Sequence, residues 1–318
     1  MTHPLPDWLG QALPELVRDY FDPPADARAR HFSSALARCA ASGRVVDAGR
    51  HGSVVAVAGV EPLAWDTGHF GIGCARLAPV CIAPDLSPSD RRAAMAEMTE
   101  AAMTWCGRND MKVLQRRIVG ARADEASTFE RRGFRLVDSI ITLNGPAKLQ
   151  SPKLPVRPAR PDDRSALLAI AASAFPHSRF LADPSFDVGK ARLVYVHWLE
   201  TLLTGDTKGD KSGTGGVVLV AETNGHPAGF VAMRRDPQLD VLVGRPVAPM
   251  EMFAVAETAR GQGLGTALLA AACDWSARAG AEIVEASTWT AATAARESYR
   301  RAGYVILDTL LTFHGRVS

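Results

Sequence analysis

Ala259-Arg-Gly-Gln-Gly-Leu-Gly265 stands between an apolar segment, Met250–Val255 (MEMFAV), and Thr266–Gly280 (TALLAAACDWSARAG), which has the composition of a good helix. Glycines at Gly261, Gly263 and Gly265 weaken regular structure, so at such a junction the backbone itself is the working part. A strand, a glycine-rich turn and a helix N-terminus together make an anion-binding device. The first-turn N–H groups lack helical acceptors, and the helix dipole favours negative charge there. Glycine also lets a ligand approach the backbone and allows positive φ. The expected ligand carries phosphates. The stretch fits neither the dinucleotide fingerprint, with its first glycine pair in an early βαβ unit, nor the phosphate loop ending in Gly-Lys-Ser/Thr.

Working outward, Glu282–Ser287 reads as a strand, Thr293–Ala302 as a helix and Tyr304–Phe313 as a strand. Upstream, Val217–Arg235 is a hairpin turning at Asn224-Gly225. Before it come a helix from Asp162, a polar-aromatic loop at Phe175–Phe186, a helix over Lys190–Leu203 and a flexible loop at Thr204–Gly216. Pro146–Asp163, rich in proline and charge, reads as an exposed linker. It divides the chain into domains at 1–150 and 151–318.

In the first half, residues 27–42, 90–108 and 125–132 read as helices. Arg44–Asp47, Ser53–Val60, Ala75–Val80, Val113–Gly120 and Phe134–Gly145 read as strands, the first two joined by a His51-Gly52 turn. The halves end alike: Thr128–Gly145 (TFERRGFRLVDSIITLNG) aligns without gaps on Ser298–Gly315 (SYRRAGYVILDTLLTFHG). Arg131/Arg301, Gly133/Gly303, Asp138/Asp308, Thr142/Thr312 and Gly145/Gly315 are identical, at an offset of 299 − 129 = 170 residues. The match indicates an internal duplication. At that offset Arg260, Gly263 and Gly265 fall on Asp90, Ala93 and Met95, and Tyr299 falls on Phe129, which has no hydroxyl. The first half keeps the shape without the site.

Bulk composition narrows the partners. The 318 residues hold 36 Lys/Arg against 34 Asp/Glu, a formal charge of +2, with no basic run interleaved with aromatics, so nucleic acid is not the expected partner. The five cysteines are scattered and never form a CxxC pair, which argues against a disulfide framework or a metal site and fits a reducing compartment. No basic-then-apolar leader and no apolar run of membrane length are found, so a cytoplasmic protein without a membrane partner is expected. The oligomeric state, a homodimer included, is left open.

Arg260-x-x-Gly263-x-Gly265 after a strand, followed by a helix, a strand and ARESYRRAGY, resembles the acetyl-CoA pyrophosphate motif of the GNAT N-acyltransferases. WDTGHFG (Trp65–Gly71) and FPHSRFLADPSFDVGKARLVYVHWLETLL (Phe175–Leu203) are similar to the bacterial dTDP-fucosamine acetyltransferase group, whose catalytic domain also follows a smaller N-terminal one. The resemblance implies an α/β (α+β) fold of tandem GNAT-like domains. Each is a mixed, mostly antiparallel sheet flanked by helices, with the N-terminal copy degenerate.

It implies acetyl-CoA, or another acyl-CoA, as co-substrate, with no metal and a small-molecule amine as acceptor. Phe253, Ala254 and Val255 would supply the strand edge that pairs with the pantetheine arm. The N–H groups of Arg260, Gly261, Gln262, Gly263, Leu264, Gly265 and Thr266 would hold the pyrophosphate. Tyr299 resembles the tyrosine that protonates the departing thiolate. A phenol of pKa about 10 keeps its proton at neutral pH.

Glu251 alternates with Phe253 and Val255, so the three point to one side of the strand, and it is a candidate base. His177 and a water chain are the others. His177, Arg179, Phe180 and Asp183 would bind the acceptor, with Arg179 on a phosphate; equally, Arg179 and Asp183 could be a loop salt bridge. Trp65, Asp66 and Phe70 face the same cleft or seal the domain interface. One departure stands out: the family's usual asparagine seven residues before the tyrosine is Ala292 here, with Trp289 and Thr290 nearby. Besides protein N-terminal acetylation, which the WDTGHFG and HSRF motifs speak against, three functions follow. They are acylation of an amino sugar on a nucleotide, acylation of an antibiotic, amino acid or secondary-metabolite intermediate, and a non-catalytic acyl-CoA-binding or regulatory role.

Overall fold

Apolar alternation and glycine-ended helices build two sets of strands, each with its own core. The computed structural model describes residues 5–12, 24–41, 44–50, 52–204 and 215–317. In chain order the strands are β1 (Val45–Arg50), β2 (Ser53–Pro62), β3 (Gly73–Ile82), β4 (Met111–Val119), β5 (Arg135–Pro146), β6 (Val156–Pro158), β7 (Val217–Thr223), β8 (His226–Met233), β9 (Val247–Val255), β10 (Ile283–Trp289) and β11 (Val305–Arg316). The helices are α1 (Ala25–Ala40), α2 (Ala64–Phe70), α3 (Pro88–Arg108), α4 (Ala126–Glu130), α5 (Arg164–Ala174), α6 (Arg179–Ala182), α7 (Val188–Thr204), α8 (Pro237–Val243), α9 (Leu264–Arg278) and α10 (Thr293–Arg301).

Contacts divide the chain into a first unit, Met1–Ser139 with Ala182–Asp187 and Asp308–Ser318, and a second, Ile140–Leu181 with Val188–Leu307. Strands of the first unit lie in the order β1-β2-β3-β4-β11, antiparallel except for the parallel pair β3/β4. Those of the second lie in the order β5-β10-β9-β8-β7-β6, antiparallel except for β9/β10. The first core gathers Leu77, Ile82, Met95, Met98, Leu114, Phe129 and Phe313. The second packs Leu268, Leu269 and Ala272 of α9 against Val284, Tyr299 and Tyr304. Each fully buried side chain of this size contributes about 1.5–3 kcal/mol.

These units do not divide at residue 150, because each holds the last strand of the other half of the sequence. In the first, β4 pairs with β11, Val113↔Arg316 through Val119↔Leu310; in the second, β10 pairs with β5, Ile283↔Pro146 through Trp289↔Ile140. Adding 170 to one partner and subtracting 170 from the other converts one ladder into its counterpart, pair by pair. The aromatic after each helix obeys the same exchange. A Cβ on Gly145 would lie 2.7 Å from the Tyr304 ring, and one on Gly315 would lie 2.5 Å from the Phe134 ring. Both glycines are therefore seats for an aromatic of the opposite half. The duplication is written in the pairing itself.

Some expectations change. Val156–Pro158, placed in the linker, forms β6 against β7, at an edge where proline is tolerated. Arg157 holds it there through ion pairs to Asp163 at 2.7 Å and to Glu222. Residues 237–243, unassigned from sequence, form α8. The hairpin turn does fall at Asn224 and Gly225, with φ of 54° and 77°, the doubly positive geometry of tight hairpins. Residues 205–214 of the expected loop and His51 of the expected first turn lie outside the described residues. No described helix is long and apolar enough to cross a membrane.

Candidate active site

The site is built where β9 leaves β10. Among the described residues their ladder has three pairs, Val247↔Ile283, Ala248↔Val284 and Pro249↔Glu285. Past Pro249, β9 continues to pair with β8 as far as Val255, and β10 continues with β5 as far as Trp289. The two strands part. A bulge sits at the fork: Ala232 faces Met252 and Met233 faces Met250, so Glu251 is the extra residue. Bulges bend a strand and raise its twist, which carries β9 away from β10. Phe253, Ala254 and Val255 lie on the departing stretch. Alternation along it leaves Glu251, Phe253 and Val255 half-buried and buries Met252 and Ala254.

Beyond β9 a short turn, Glu257–Ala259, uses the Arg260 N–H on the Glu257 carbonyl at 3.3 Å. That amide, expected on a phosphate, is therefore engaged. Gly261 and Gly263 have φ of 78° and 85°. A Cβ on Gly261 would meet open space, and Gly263 is the N-cap of α9, where it offers no capping side chain. The helical ladder starts with Ala267 N–H on the Gly263 carbonyl, so the N–H groups of Leu264, Gly265 and Thr266 precede it. A Cβ on Gly265 would touch Phe253 Cζ at 3.5 Å and Val255 Cγ2 at 3.9 Å, which places the first turn of α9 beside the free edge of β9. The Gln262 side chain donates to the Thr258 carbonyl at 3.3 Å, and Arg260 Nε to the Val255 carbonyl at 3.4 Å. These residues fit a phosphate-bearing ligand.

Tyr299 stands at the apex of the split. Gly303, at φ 85°, ends α10 and lets the Tyr304 N–H reach the Tyr299 carbonyl at 3.0 Å, which fixes the last turn. The Tyr299 hydroxyl donates to Met250 Sδ at 3.4 Å, and Met250 is the first β9 residue past the ladder. Its ring meets Phe253 edge-on at 5.8 Å and Tyr304 at 5.2 Å. Only 3% of Tyr299 is exposed, and burial pushes its phenol well above the ordinary value, so it is neutral at physiological pH.

Glu251 is not a lone carboxylate. Arg234 Nε donates to it at 2.9 Å, and the same guanidinium donates to Asp236 at 2.9 Å. Burial would lower the Arg234 pKa, but Glu251 and Asp236 outweigh it and raise it. Asp236 also accepts from the Leu239 N–H at the start of α8. Sequence reasoning missed Arg234, Asp236 and Met250. A charge directly before an unassigned helix gave no local signal.

The four acceptor candidates separate. His177 stacks on Trp289, at the end of β10, with ring centroids 3.6 Å apart. The Arg179 guanidinium lies 4.2 Å from the centre of the buried Phe180 ring. Asp183 belongs to the first unit, and its polar partners there are His314 and Ser185. Its carboxylate meets His314 Nδ1 at 2.8 Å and accepts from the Ser185 N–H at 2.9 Å. Burial raises its pKa, but these hydrogen bonds outweigh that and bring it down to about 2. Also in the first unit, Asp66 accepts from Gln115 at 3.0 Å, Phe70 packs on Phe186, and Trp65 stacks on His69.

Residues 184–304 match the Acetyltransferase (GNAT) family. The chain carries a GNAT acetyltransferase domain, an enzyme fold that uses acetyl-CoA. The dTDP-fucosamine acetyltransferase of Escherichia coli O6:H1 strain CFT073 is 24% identical over 79% of this chain and 96% of that protein. A GCN5-related N-acetyltransferase from Sphaerobacter thermophilus shares the fold, with a TM-score of 0.60 and 18% identity, over 99% of this chain and 94% of that one. A tandem GNAT protein from the clavulanic acid biosynthesis pathway does so with a TM-score of 0.50 and 15% identity, over 87% and 84%.

Proposed function

We propose that the second unit moves an acetyl group from acetyl-CoA to the amine of a nucleotide-linked amino sugar, by direct attack. The observation that carries this reading is the phenol of Tyr299 at the apex of a split whose free edge adjoins an uncapped helix N-terminus. Phe253, Ala254 and Val255 would pair with the amides of the pantetheine arm. The N–H groups from Gly261 to Thr266 would take the pyrophosphate. Bound acetyl-CoA supplies an acyl group activated as a thioester.

The protein's part is proton management. As the amine nitrogen bonds to the acyl carbon, the carbon–sulfur bond breaks and sulfur leaves as thiolate. Tyr299 Oη gives that sulfur its proton, and solvent restores the phenol. Glu251 takes the proton lost by nitrogen, directly or through water. Arg234 keeps Asp236 as a partner when Glu251 is neutralised, which supports this assignment. His177, Arg179 and Phe180 would receive the acceptor. A guanidinium held over Phe180 suits the planar, bidentate grip of a phosphate. The distant relative named for an amino-sugar nucleotide supports the same class.

The test is acetyl-CoA turnover against nucleotide amino sugars, aminoglycosides and free amino acids, with thiol release and product mass followed together. Turnover confined to a nucleotide amino sugar, and cut on the order of a hundredfold by Tyr299→Phe, is expected. Turnover with an aminoglycoside or amino acid alone would replace the acceptor. Tight acetyl-CoA binding without any turnover would support a binding role instead.

A further inference from the structure

The first unit has a split of its own, and its contents bear on how the second is kept open. There β3 and β4 pair from Gly73↔Met111 to Arg76↔Gln115, with no further pair among the described residues. As in the second unit, a bulge follows: β3 takes three steps from Leu77 to Val80 while β2 takes two from Val60 to Ala58. Into this fork project three buried charged side chains. Arg116 is 1% exposed, Arg122 2% and Glu125 0%. Arg122 Nε donates to Glu125 at 2.6 Å, and Arg116 lies 4.0 Å from the same carboxylate. Arg116 donates to the Leu77 carbonyl and Arg122 to the Val80 carbonyl, each at 3.4 Å.

Those two carbonyls lie on β3 past the last parallel pair. Counted from that pair, Arg76 corresponds to Pro249, so Leu77 corresponds to Met250 and Val80 to Phe253. Arg122 thus binds the position that, in the second, begins the stretch assigned to the thioester arm, and Arg116 binds the position of Met250, just before it. On the other side of the fork the 170-residue register holds. Arg116, Arg122 and Glu125 fall on Ala286, Ala292 and Ala295, three alanines. Two guanidinium groups and a carboxyl group are cut back to methyls.

We propose that the first unit is closed to an acyl-CoA arm because Arg116, Arg122 and Glu125 form a charge cluster bonded to its own strand edge, and that the second fork can admit the arm because Ala286, Ala292 and Ala295 at the equivalent positions carry no such cluster. The inference rests on the functional reading above.

The test is isothermal titration of acetyl-CoA into the full chain, alongside its Ala292→Arg/Ala295→Glu variant and Ala294→Arg, a charge on an exposed position of the same helix. Melting curves are measured for each. The double variant is expected to weaken binding by about tenfold or more with its unfolding transition intact, and Ala294→Arg is expected to leave the affinity unchanged. Ala292→Leu, a milder filling of the same space, should give a smaller loss and serves where the charged pair fails to fold. Unchanged affinity in the folded double variant and in Ala292→Leu would overturn the inference, as would an equal loss in Ala294→Arg. Absence of acetyl-CoA binding by the unaltered chain would instead overturn the functional reading and the inference with it.

Discussion

The two strand forks of this chain share a ladder, a bulge and a following helix, and differ in what faces the gap. In the first unit the fork holds Arg116, Arg122 and Glu125, and its neighbouring helix is satisfied from within. Ser87 caps α3 by accepting from the Asp90 N–H at 3.1 Å, and the Asp90 carboxylate lies in the first turn, where it answers the dipole. In the second unit the equivalent positions are alanines, Gly263 starts α9 and its first turn reads Leu264-Gly265-Thr266, with no carboxylate. Phe129 in one becomes Tyr299 in the other. On the proposal above, side chains fill in one copy of a duplicated scaffold the place a ligand would take in the other.

The comparison is broken most easily at the charge cluster, where the expected effect is greatest. Removing one member of a buried charge cluster strands the others, so Glu125→Ala should cost about 3–5 kcal/mol, read as a shift in denaturant midpoint. A small change would mean the cluster is solvated and does not close the fork. Tyr299→Phe should lower kcat on the order of a hundredfold with acetyl-CoA affinity kept. Phe129→Tyr, the reverse change in the silent copy, should add no activity.

Asp183→Asn sharpens the contrast between β11 and β5, since His314 in one is Asn144 at the same register in the other. The Asp183 carboxyl titrates near 2 when folded, below its ordinary value of 3.8. Its stabilisation is therefore present above about pH 4 and is lost as pH falls through about 2, with a size of about 2 kcal/mol. Stability of the two proteins against pH should differ most near neutrality and converge in acid. The smallest effect is expected from Gly263→Ala. Its φ of 85° is strained for alanine by about 1–2 kcal/mol, and acetyl-CoA binding should weaken with it, whereas Gly265→Ala, at an ordinary backbone angle, should spare stability.

The tandem fold and the glycine turn were legible because local chemistry decides them: positive φ needs glycine, and a helix ending in Gly303-Tyr304 repeats at Gly133-Phe134. The offset of 170 was legible only from β4 onward. The last parallel pairs match at 249 − 76 = 173 and the helix N-caps at 263 − 87 = 176, so Gly261, Gly263 and Gly265 stand opposite Asp85, Ser87 and Ser89, and the motif does not stand opposite Asp90, Ala93 and Met95. The strand exchange was invisible because β5 and β11 carry the same Asp, Thr and Gly positions, and either could pair with either neighbour. β6 hid behind prolines. Nothing local marks Arg116, Arg122 and Glu125 as buried, since such residues usually lie at the surface. Setting them beside Ala286, Ala292 and Ala295 at the known offset was the signal that could have found them. Asp183 was drawn to the acceptor by its neighbours in sequence, while its partner, His314, lies 131 residues away.

The most direct test of the central claim, one working fork and one closed, is hydrogen–deuterium exchange with and without acetyl-CoA. Slowed exchange is predicted at residues 251–255 and 261–266, with residues 77–82 unchanged. Protection at 77–82, or none at 251–255, would contradict the account.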